Sequence, residues 1–297
     1  MPAKRLSLAR LWRFTLALFL LLVLFGSITV AGYVIFFGTA FARDIPVDLH
    51  EIIFEEPDPP EHFSVEGEPP PRLLGNLPKV AIIIDDMGYH KQLGEQLLGL
   101  PVVLNYSFLP FVPHSRVQAV QAHLAGRTVL LHLPLQPRNP AWNPGPGALL
   151  VDDTPPLRRE KFVRCLAEIP HVSGVNNHMG SLFTEDSQAM TEVMGEIHAN
   201  GLFFVDSYTT SASTGLQVAG ELQVRSARRD VFLDNILDER QICLRLEELV
   251  EIALRRGWGI GIAHPHQVTV DALRRCAPSY QGQVEYVGVE EIIAGQP

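Results

Sequence analysis

The sequence is poor in cysteine and has no excess of positive charge. Its 297 residues include three cysteines, Cys165, Cys243 and Cys276, and no two of them are spaced as a CxxC pair. Neither a disulfide framework nor a cysteine-based metal site is therefore favoured. The net charge of −9 argues against a nucleic-acid-binding protein, because contacts to phosphates require a basic face. No GxGxxG or GxxxxGKS/T motif follows a predicted strand, so nothing indicates nucleotide binding.

Charged residues are missing from a 29-residue stretch near the N-terminus, 14–42, whereas residues 1–13 carry four basic side chains and no acid. A bilayer is spanned by about 20 apolar residues, but the apolar core of a cleavable signal peptide has only about 7–15. We therefore expect 14–42 to be an uncleaved signal anchor in the inner membrane. The basic flank places 1–13 in the cytoplasm and the rest of the chain in the periplasm. The alternative is cleavage after Ala42, because Ala-Phe-Ala fits the small-x-small pattern.

Lysine and arginine are also absent from 44–71, which holds nine acids and seven prolines. Such a segment repels itself and cannot continue a helix. We expect 43–78 to be an extended, disordered linker that holds the following domain away from the membrane. A docking segment for a protein partner is the alternative.

Short apolar runs rich in branched residues alternate with amphipathic stretches from residue 79 onward. Such alternation is typical of a parallel sheet covered by helices. It predicts an α/β fold over 79–297, a compact and irregular (β/α) barrel, with an open doubly wound sheet as the competing architecture. The predicted strands cover 79–85, 102–108, 128–134, 172–178, 202–208, 230–235, 259–265 and 284–289, and the clearest helices cover 157–169, 186–199 and 239–256.

Polar residues occur at the ends of most of these predicted strands. In both architectures the C-terminal strand ends form the floor of the ligand site. We therefore expect these residues to converge there, which favours an enzyme. The set comprises Asp85, Asp86, His132, Asn176, Asn177, His178, Asp206, Asp230, Asp234, His264 and His266.

Imidazoles and carboxylates without cysteine are typical of a catalytic divalent-metal site that keeps a position open for water. A second carboxylate can take a proton from that water, and a further histidine can protonate the leaving group. Asp85 and Asp86 fit this division because successive side chains of a strand point different ways. They could instead cap the helix expected near His90. The absence of a GxSxG motif argues against a nucleophilic serine.

Six motifs follow one another along the domain: AIIIDDMG, LHLPLQP, GVNNHMGS, FFVDS, RDVFLDN and GIAHPH. In this order they resemble the motifs of the divergent polysaccharide deacetylases, an outlying branch of the metal-dependent carbohydrate esterases with the NodB-type barrel. The resemblance covers about 79–292. It implies an irregular (β/α)7 barrel that acts on a carbohydrate through bound zinc or a similar ion.

The resemblance also implies roles for individual residues. The paired acids of the first motif match Asp85 as the general base and Asp86 as a metal ligand. Typical members have two metal-binding histidines four residues apart, but His132 stands alone near the third strand, so His178 is assigned as the second imidazole. The late strand-end histidine, usually the general acid, matches His264, with His266 as its rival.

The other candidates are expected to support the metal ligands or to contact the substrate. Trp142 lies on a Pro/Gly loop and could stack on a sugar ring or act as a lid. The remaining members of this group are Asn177, Asp206, Asp230 and Asp234.

Two functions follow from these patterns. The first is an envelope deacetylase acting on an N-acetylated glycan such as peptidoglycan. The second is an inactive barrel that retains metal or glycan binding and serves as an envelope scaffold or regulator. The Arg-Pro-Tyr motif of typical members is missing, but a base, metal ligands and an acid are all present, which favours the enzyme.

Overall fold

The computed structural model describes residues 77–295, together with the isolated Leu22. The predicted anchor at 14–42 and all but the last two residues of the predicted linker lie outside this range. Within the described residues, no helix is both long enough and apolar enough to cross a bilayer.

A single sheet of parallel strands forms the centre of the described domain. The strands are paired in the order β6-β5-β4-β3-β2-β1-β8-β7, and the short β9 pairs with the start of β1. Their bounds are β1 Lys79–Met87, β2 Asn105–Phe108, β3 Val129–Leu135, β4 Gly174–Met179, β5 Phe203–Asp206, β6 Ser226–Arg228, β7 Val231–Phe232, β8 Trp258–Ala263 and β9 Glu285–Tyr286.

Helices connect these strands and cover the outer face of the sheet. The longest, α6, has the bounds that its apolar spacing predicts, and it ends at Gly257, whose φ of 94° suits a residue without a side chain. The helices are α1 Lys91–Leu98, α2 Ser115–Leu124, α3 Pro155–Glu168, α4 Ser187–Ala199, α5 Gly215–Glu221, α6 Glu239–Arg256, α7 Gln267–Cys276 and α8 Val289–Ala294.

The sheet is curled so that its two end strands, β6 and β7, follow each other directly in the chain. Between them, the backbone N–H of Arg229 donates to Asp206 O in β5 (3.0 Å), and that of Asp230 donates to Ile260 O in β8 (2.8 Å). Two successive residues, Arg229 and Asp230, thus bond to strands near opposite ends of the strand order. From β1 to β6 each new strand is added on the same side of the sheet, whereas a doubly wound sheet reverses its order at a switch point. The expected α/β fold with a parallel sheet is confirmed, and the sheet forms a curled half-barrel in place of the predicted (β/α)7 barrel.

Apolar side chains fill the inside of the curled sheet. Because alternate strand residues face opposite sides, one set points inward and the other packs against the helices. Val289, Ile292 and Ile293 of α8 join the inward set and cover the N-terminal ends of the strands. This interior cluster comprises Ala81, Ile83, Leu130, Phe203, Val205, Ala227, Phe232, Ile260, Ile262, Val287, Val289, Ile292 and Ile293.

A disulfide corrects the expectation drawn from the cysteine spacing. Cys243 in α6 and Cys276 in α7 are bonded, with their Cα atoms 5.9 Å apart, and Cys165 is free and buried. The two bonded residues are 33 positions apart, so only the packing of α6 against α7 brings them together. Sequence spacing alone could not reveal this pair.

Replacing both Cys243 and Cys276 by serine should lower the free energy of unfolding by about 2–4 kcal/mol, because the disulfide restricts the unfolded chain. Thermal unfolding of the oxidised wild type and of the double variant measures the loss. A reductant should lower the melting temperature of the wild type and leave that of the double variant unchanged. Equal melting temperatures, together with three titratable thiols in the unfolded wild type, would contradict the pairing.

Candidate metal centre

Strand alternation places a polar layer above the interior cluster. In β1, Ala81 and Ile83 belong to that cluster, and Asp85 is the next residue on the same face. In β3, His132 follows Leu130 in the same way. The same layer continues with Asn176 and His178 in β4, Ser207 after β5 and His264 after β8.

A bulge at the end of β1 turns both of its acids toward the inside. Ile84 pairs with Tyr106 and Met87 with Phe108, so β1 has one residue more than β2 over this interval. The bulge contains Asp86, whose φ of 52° is unusual for a residue other than glycine. The expectation that Asp85 and Asp86 point different ways is therefore wrong, because the bulge interrupts the alternation.

Both acids face the same imidazole. Oδ1 of Asp86 lies 3.2 Å from Nε2 of His132, and Oδ2 of Asp85 lies 3.7 Å from the same nitrogen. The alternative role in helix capping does not apply, since the capping position of α1 is occupied by His90.

Asp86, His132 and His178 form a compact cluster of possible metal ligands. Nδ1 of His178 lies 2.9 Å from Oδ1 of Asp86 and 3.2 Å from Nε2 of His132. One ligand atom from each residue falls within 4.8 Å of the others, and all three side chains are buried. The structure thus brings together the three residues predicted to bind metal, and their role as ligands stays a prediction.

The chemistry of this cluster fits a divalent cation. Both carboxylate oxygens of Asp86 are buried without a hydrogen bond of good geometry, so their lone pairs remain available to a cation. Burial by itself would raise the pKa of Asp86, but His178 and His132 outweigh it and hold that pKa well below its usual range. Two imidazoles and one carboxylate are also the donor set of many catalytic zinc sites.

The adjacent acid has the opposite electrostatic character. Burial raises the pKa of Asp85, although the charges of His132 and His264 oppose the shift. Neighbouring carboxyl groups whose pKa values are pushed apart are typical of a divided acid–base function. Asp86 is thus suited to remain an ionised ligand, and Asp85 is suited to accept a proton.

Asn176, which was expected at the ligand site without a specific role, connects the cluster to Asp85. Its Oδ1 lies 2.9 Å from Nδ1 of His132, and its Nδ2 donates to Oδ1 of Asp85 at 2.8 Å. A sequence signal existed, because Asn176 lies two residues before His178 and so shares its face of β4. It is also paired in register with His132.

His264 lies in the same pocket and is held by Asp234. Nδ1 of His264 is 2.9 Å from Oδ1 of Asp234. The other oxygen, Oδ2 of Asp234, accepts from the backbone N–H of His264 at 2.6 Å and from the hydroxyl of Thr269 at 2.8 Å. Burial would lower the pKa of His264, but the charge of Asp234 outweighs it and raises that pKa to about 9. The imidazole is therefore protonated at neutral pH. Its rival, His266, precedes α7 at the capping position, and burial lowers its pKa.

The other predicted site residues have different surroundings. Asn177 lines the pocket, donates to Met179 O at 2.7 Å and accepts from Ser207 N at 2.8 Å, so it ties the ends of β4 and β5 together. Asp206 accepts from the hydroxyl of Ser213 at 2.7 Å and from a backbone N–H. Neither of these two hydrogen bonds involves an imidazole.

Two further candidates lie away from the pocket lining. Asp230 precedes β7, at the opposite end of the strands from the cluster, and it pairs with Arg256 at 2.6 Å. Its position differs from that of Asp234 because the short β7 lies between them. Trp142 is half-buried in the loop between β3 and α3.

Three of the six non-glycine residues with positive φ in the described part of the chain lie near the pocket end of the strands. Asp86, Met179 and Tyr208 have φ values of 52°, 53° and 53°, and they lie at or just beyond the ends of β1, β4 and β5. Each such residue costs on the order of 1–3 kcal/mol, and strained residues of this kind cluster at functional sites. The strain thus agrees with a functional role for this end of the sheet.

Replacing Asp234 by asparagine should lower the pKa of His264 from about 9 toward its ordinary value near 6.5. The variant removes the largest of the charges that oppose burial, while the charges of Asp86 and Asp85 remain. An NMR pH titration of the His264 ring in the metal-free protein measures the change. The control is Asp271→Asn, on the exposed side of α7, which should leave the midpoint in place. A midpoint near 9 in Asp234→Asn would contradict the assignment.

The family model described as divergent polysaccharide deacetylase matches residues 82–293. This range includes every strand-end residue of the pocket. The chain belongs to the divergent polysaccharide deacetylase family. The resemblance found in the six motifs is therefore confirmed.

Two bacterial proteins are similar to this chain in sequence. The chain is 34% identical to protein YibQ of Escherichia coli K12 over 198 residues, which cover 66% of this chain and 61% of that protein. It thus spans about three-fifths of that relative's length. A protein of Haemophilus influenzae is 29% identical over 225 residues, which cover 74% of this chain and 80% of the relative.

The fold of this deacetylase family member is also shared with a solved structure. A crystal structure of a protein from Agrobacterium tumefaciens C58 superposes with a TM-score of 0.71 at 27% identity. The match covers 75% of this chain and 92% of that protein. The curled parallel sheet is therefore found in an experimentally determined relative.

Proposed function

We propose that this protein is a metal-dependent hydrolase that removes acetyl groups from an N-acetylated glycan. One observation carries the proposal: the Asp86–His132–His178 cluster lies beside Asp85 and His264 in one pocket. The site therefore combines a ligand set, a base and a protonated acid. Membership of a polysaccharide deacetylase family supports a glycan as the substrate.

Asp86, His132 and His178 would hold the ion, and we infer zinc because imidazole and carboxylate ligands with three protein donors suit it. A bound divalent cation would polarise the amide carbonyl and make a nearby water more acidic. The ligand set carries one negative charge, so the occupied site would remain positive and would attract the carbonyl oxygen.

The protein side chains then move the protons. Asp85 accepts a proton from water as the bond between the water oxygen and the acetyl carbon forms. His264 donates its proton to the amide nitrogen as the carbon–nitrogen bond breaks. Acetate and a free amine on the sugar are the products. Asp234 keeps His264 charged for this step and fixes the orientation of its ring.

We further propose that 14–42 anchors the protein in the inner membrane and that the domain lies in the periplasm. The uncharged segment behind a basic flank supports this placement. The disulfide between Cys243 and Cys276 supports it independently, since disulfides persist mainly in oxidising compartments.

The enzymatic proposal is tested by acetate release. The purified full-length protein loaded with zinc is incubated with a chitin oligomer and with peptidoglycan fragments. We expect acetate to be released, release to stop with a chelator, and activity to return on adding zinc. A protein that binds zinc but releases no acetate from any of these glycans would instead support the inactive scaffold or regulator.

The placement is tested by fractionation and protease accessibility. We expect full-length protein in the inner-membrane fraction, with its domain cleaved by protease added from the periplasmic side. Full-length protein in the cytosol, or a free periplasmic form that begins at Arg43, would contradict the anchor.

A further inference from the structure

We propose that Asn176 is a positioning residue that fixes His132 in the ring form able to bind metal and holds Asp85 beside it. The part that concerns Asp85 rests on the proposed function. The part that concerns His132 rests only on the cluster and can be tested without a substrate.

The side-chain amide of Asn176 uses all of its hydrogen-bonding capacity inside the polar layer, and the residue is fully buried. Its Oδ1 accepts from the hydroxyl of Ser107 in a very close contact and lies 2.9 Å from Nδ1 of His132. Its Nδ2 donates to Oδ1 of Asp85 at 2.8 Å and to Oγ of Ser207 at 3.3 Å. One amide thus joins strands β1, β2, β3 and the end of β5 to β4.

The contacts of this amide define its orientation. Its NH₂ donates to Oδ1 of Asp85 and to Oγ of Ser207, and its oxygen accepts from the hydroxyl of Ser107. The amide oxygen therefore also faces Nδ1 of His132.

The orientation of the amide in turn fixes the ring of His132. An amide oxygen carries no hydrogen, so Nδ1 of His132 must donate to it. In the neutral ring the lone pair then lies on Nε2, the nitrogen 3.2 Å from Oδ1 of Asp86. This arrangement, in which an outer acceptor sets the tautomer of a metal-binding histidine, is typical of metal sites.

The same amide holds one oxygen of the proposed base and leaves the other available. Oδ1 of Asp85 accepts from Asn176, whereas Oδ2 faces Nε2 of His132 at 3.7 Å. Asp85 is therefore held with one oxygen turned toward the cluster. His132 and Asn176 are paired in register between β3 and β4. This pairing places the amide of Asn176 where it contacts both His132 and Asp85.

Two substitutions separate these contacts. Asn176→Asp retains an oxygen that accepts from His132 but cannot donate to Asp85. Asn176→Ala removes both contacts. The matched control is Asn105→Asp, a fully buried asparagine lower in the sheet whose Nδ2 donates to the backbone oxygens of Ile82 and Val287.

Zinc affinity of the full-length protein is measured by competition with a chelator, alongside thermal unfolding and acetate release at saturating zinc. Asn176→Ala should bind zinc about 10–100-fold more weakly, the usual effect of losing an outer partner of a metal ligand. Asn176→Asp should retain most of the affinity and yet release acetate at least about tenfold more slowly. Asn105→Asp should lose thermal stability without losing zinc affinity.

Wild-type zinc affinity in Asn176→Ala would overturn the proposal, and so would full activity in Asn176→Asp. If neither variant folds, the ring proton of His132 in the zinc-loaded wild type decides by ¹⁵N–¹H NMR: a proton on Nδ1 supports the proposal, and a proton on Nε2 overturns it. A wild type that releases no acetate would contradict the proposed function, but zinc affinity and the ring proton would still test Asn176.

Discussion

Replacing either His132 or His178 by alanine is expected to remove stoichiometric zinc binding. Each change deletes one of the three side chains whose ligand atoms lie within 4.8 Å of one another. Affinity should fall by more than the roughly 10–100-fold that follows loss of an outer hydrogen bond. Zinc should also cease to raise the melting temperature, because a ligand stabilises the folded state only when it binds there.

The control for this experiment is His123→Ala. His123 is exposed at the end of α2, where its ring stacks on His171 with centroids 3.8 Å apart. The same chemical change at this position should leave one zinc ion per chain and the full thermal shift. Undiminished zinc content in both His132→Ala and His178→Ala, measured by elemental analysis, would contradict the ligand assignment.

Asp85→Asn is expected to behave differently from the ligand variants. The amide cannot accept the proton of water, so turnover should fall by roughly 10²–10⁴, the range for loss of a general base. Zinc should remain bound, since Asp86 and not Asp85 belongs to the cluster. Acetate release and zinc content measured on the same preparation test both statements.

The matched control is Asp186→Asn, which makes the same chemical change outside the pocket. Asp186 caps α4 by accepting from the backbone N–H of Ala189 at 2.8 Å, and asparagine serves equally well at that position. Turnover should stay unchanged in this variant. An Asp85→Asn protein with wild-type turnover would show that another group takes the proton.

The regular parts of the fold could be predicted from local patterns. Helix α6 spans the predicted 239–256, because its apolar spacing continues without interruption and Gly257 ends it. Strand β6 was missed, since its three residues contain no apolar run. The predicted strand 230–235 is reduced to Val231–Phe232, because the chain changes from one edge of the sheet to the other at that point.

Strand alternation was sufficient to predict part of the site. Alternation and strand ends indicate that Asp85, His132, His178 and His264 share one layer, and the structure places them there. The inward turn of Asp86 was not predictable, because the bulge depends on the pairing of β1 with β2.

The supporting residues were harder to distinguish for a similar reason. Asp206, Asp230 and Asp234 look equivalent as acids beside predicted strands. Of the three, it is Asp234 that contacts an imidazole. Predicting which of these acids contacts an imidazole requires strand bounds accurate to one or two residues. Sequence patterns do not define strand bounds that accurately.

Anomalous diffraction from zinc-soaked crystals of the protein shows directly which side chains bind the ion. We expect one strong peak in the pocket, within about 2.0–2.2 Å of Oδ1 of Asp86, Nε2 of His132 and Nδ1 of His178. We also expect Asp85 and His264 to lie beside the ion without binding it. No peak at this cluster, or a fully occupied zinc site elsewhere with the cluster empty, would show that Asp86, His132 and His178 are not the metal ligands.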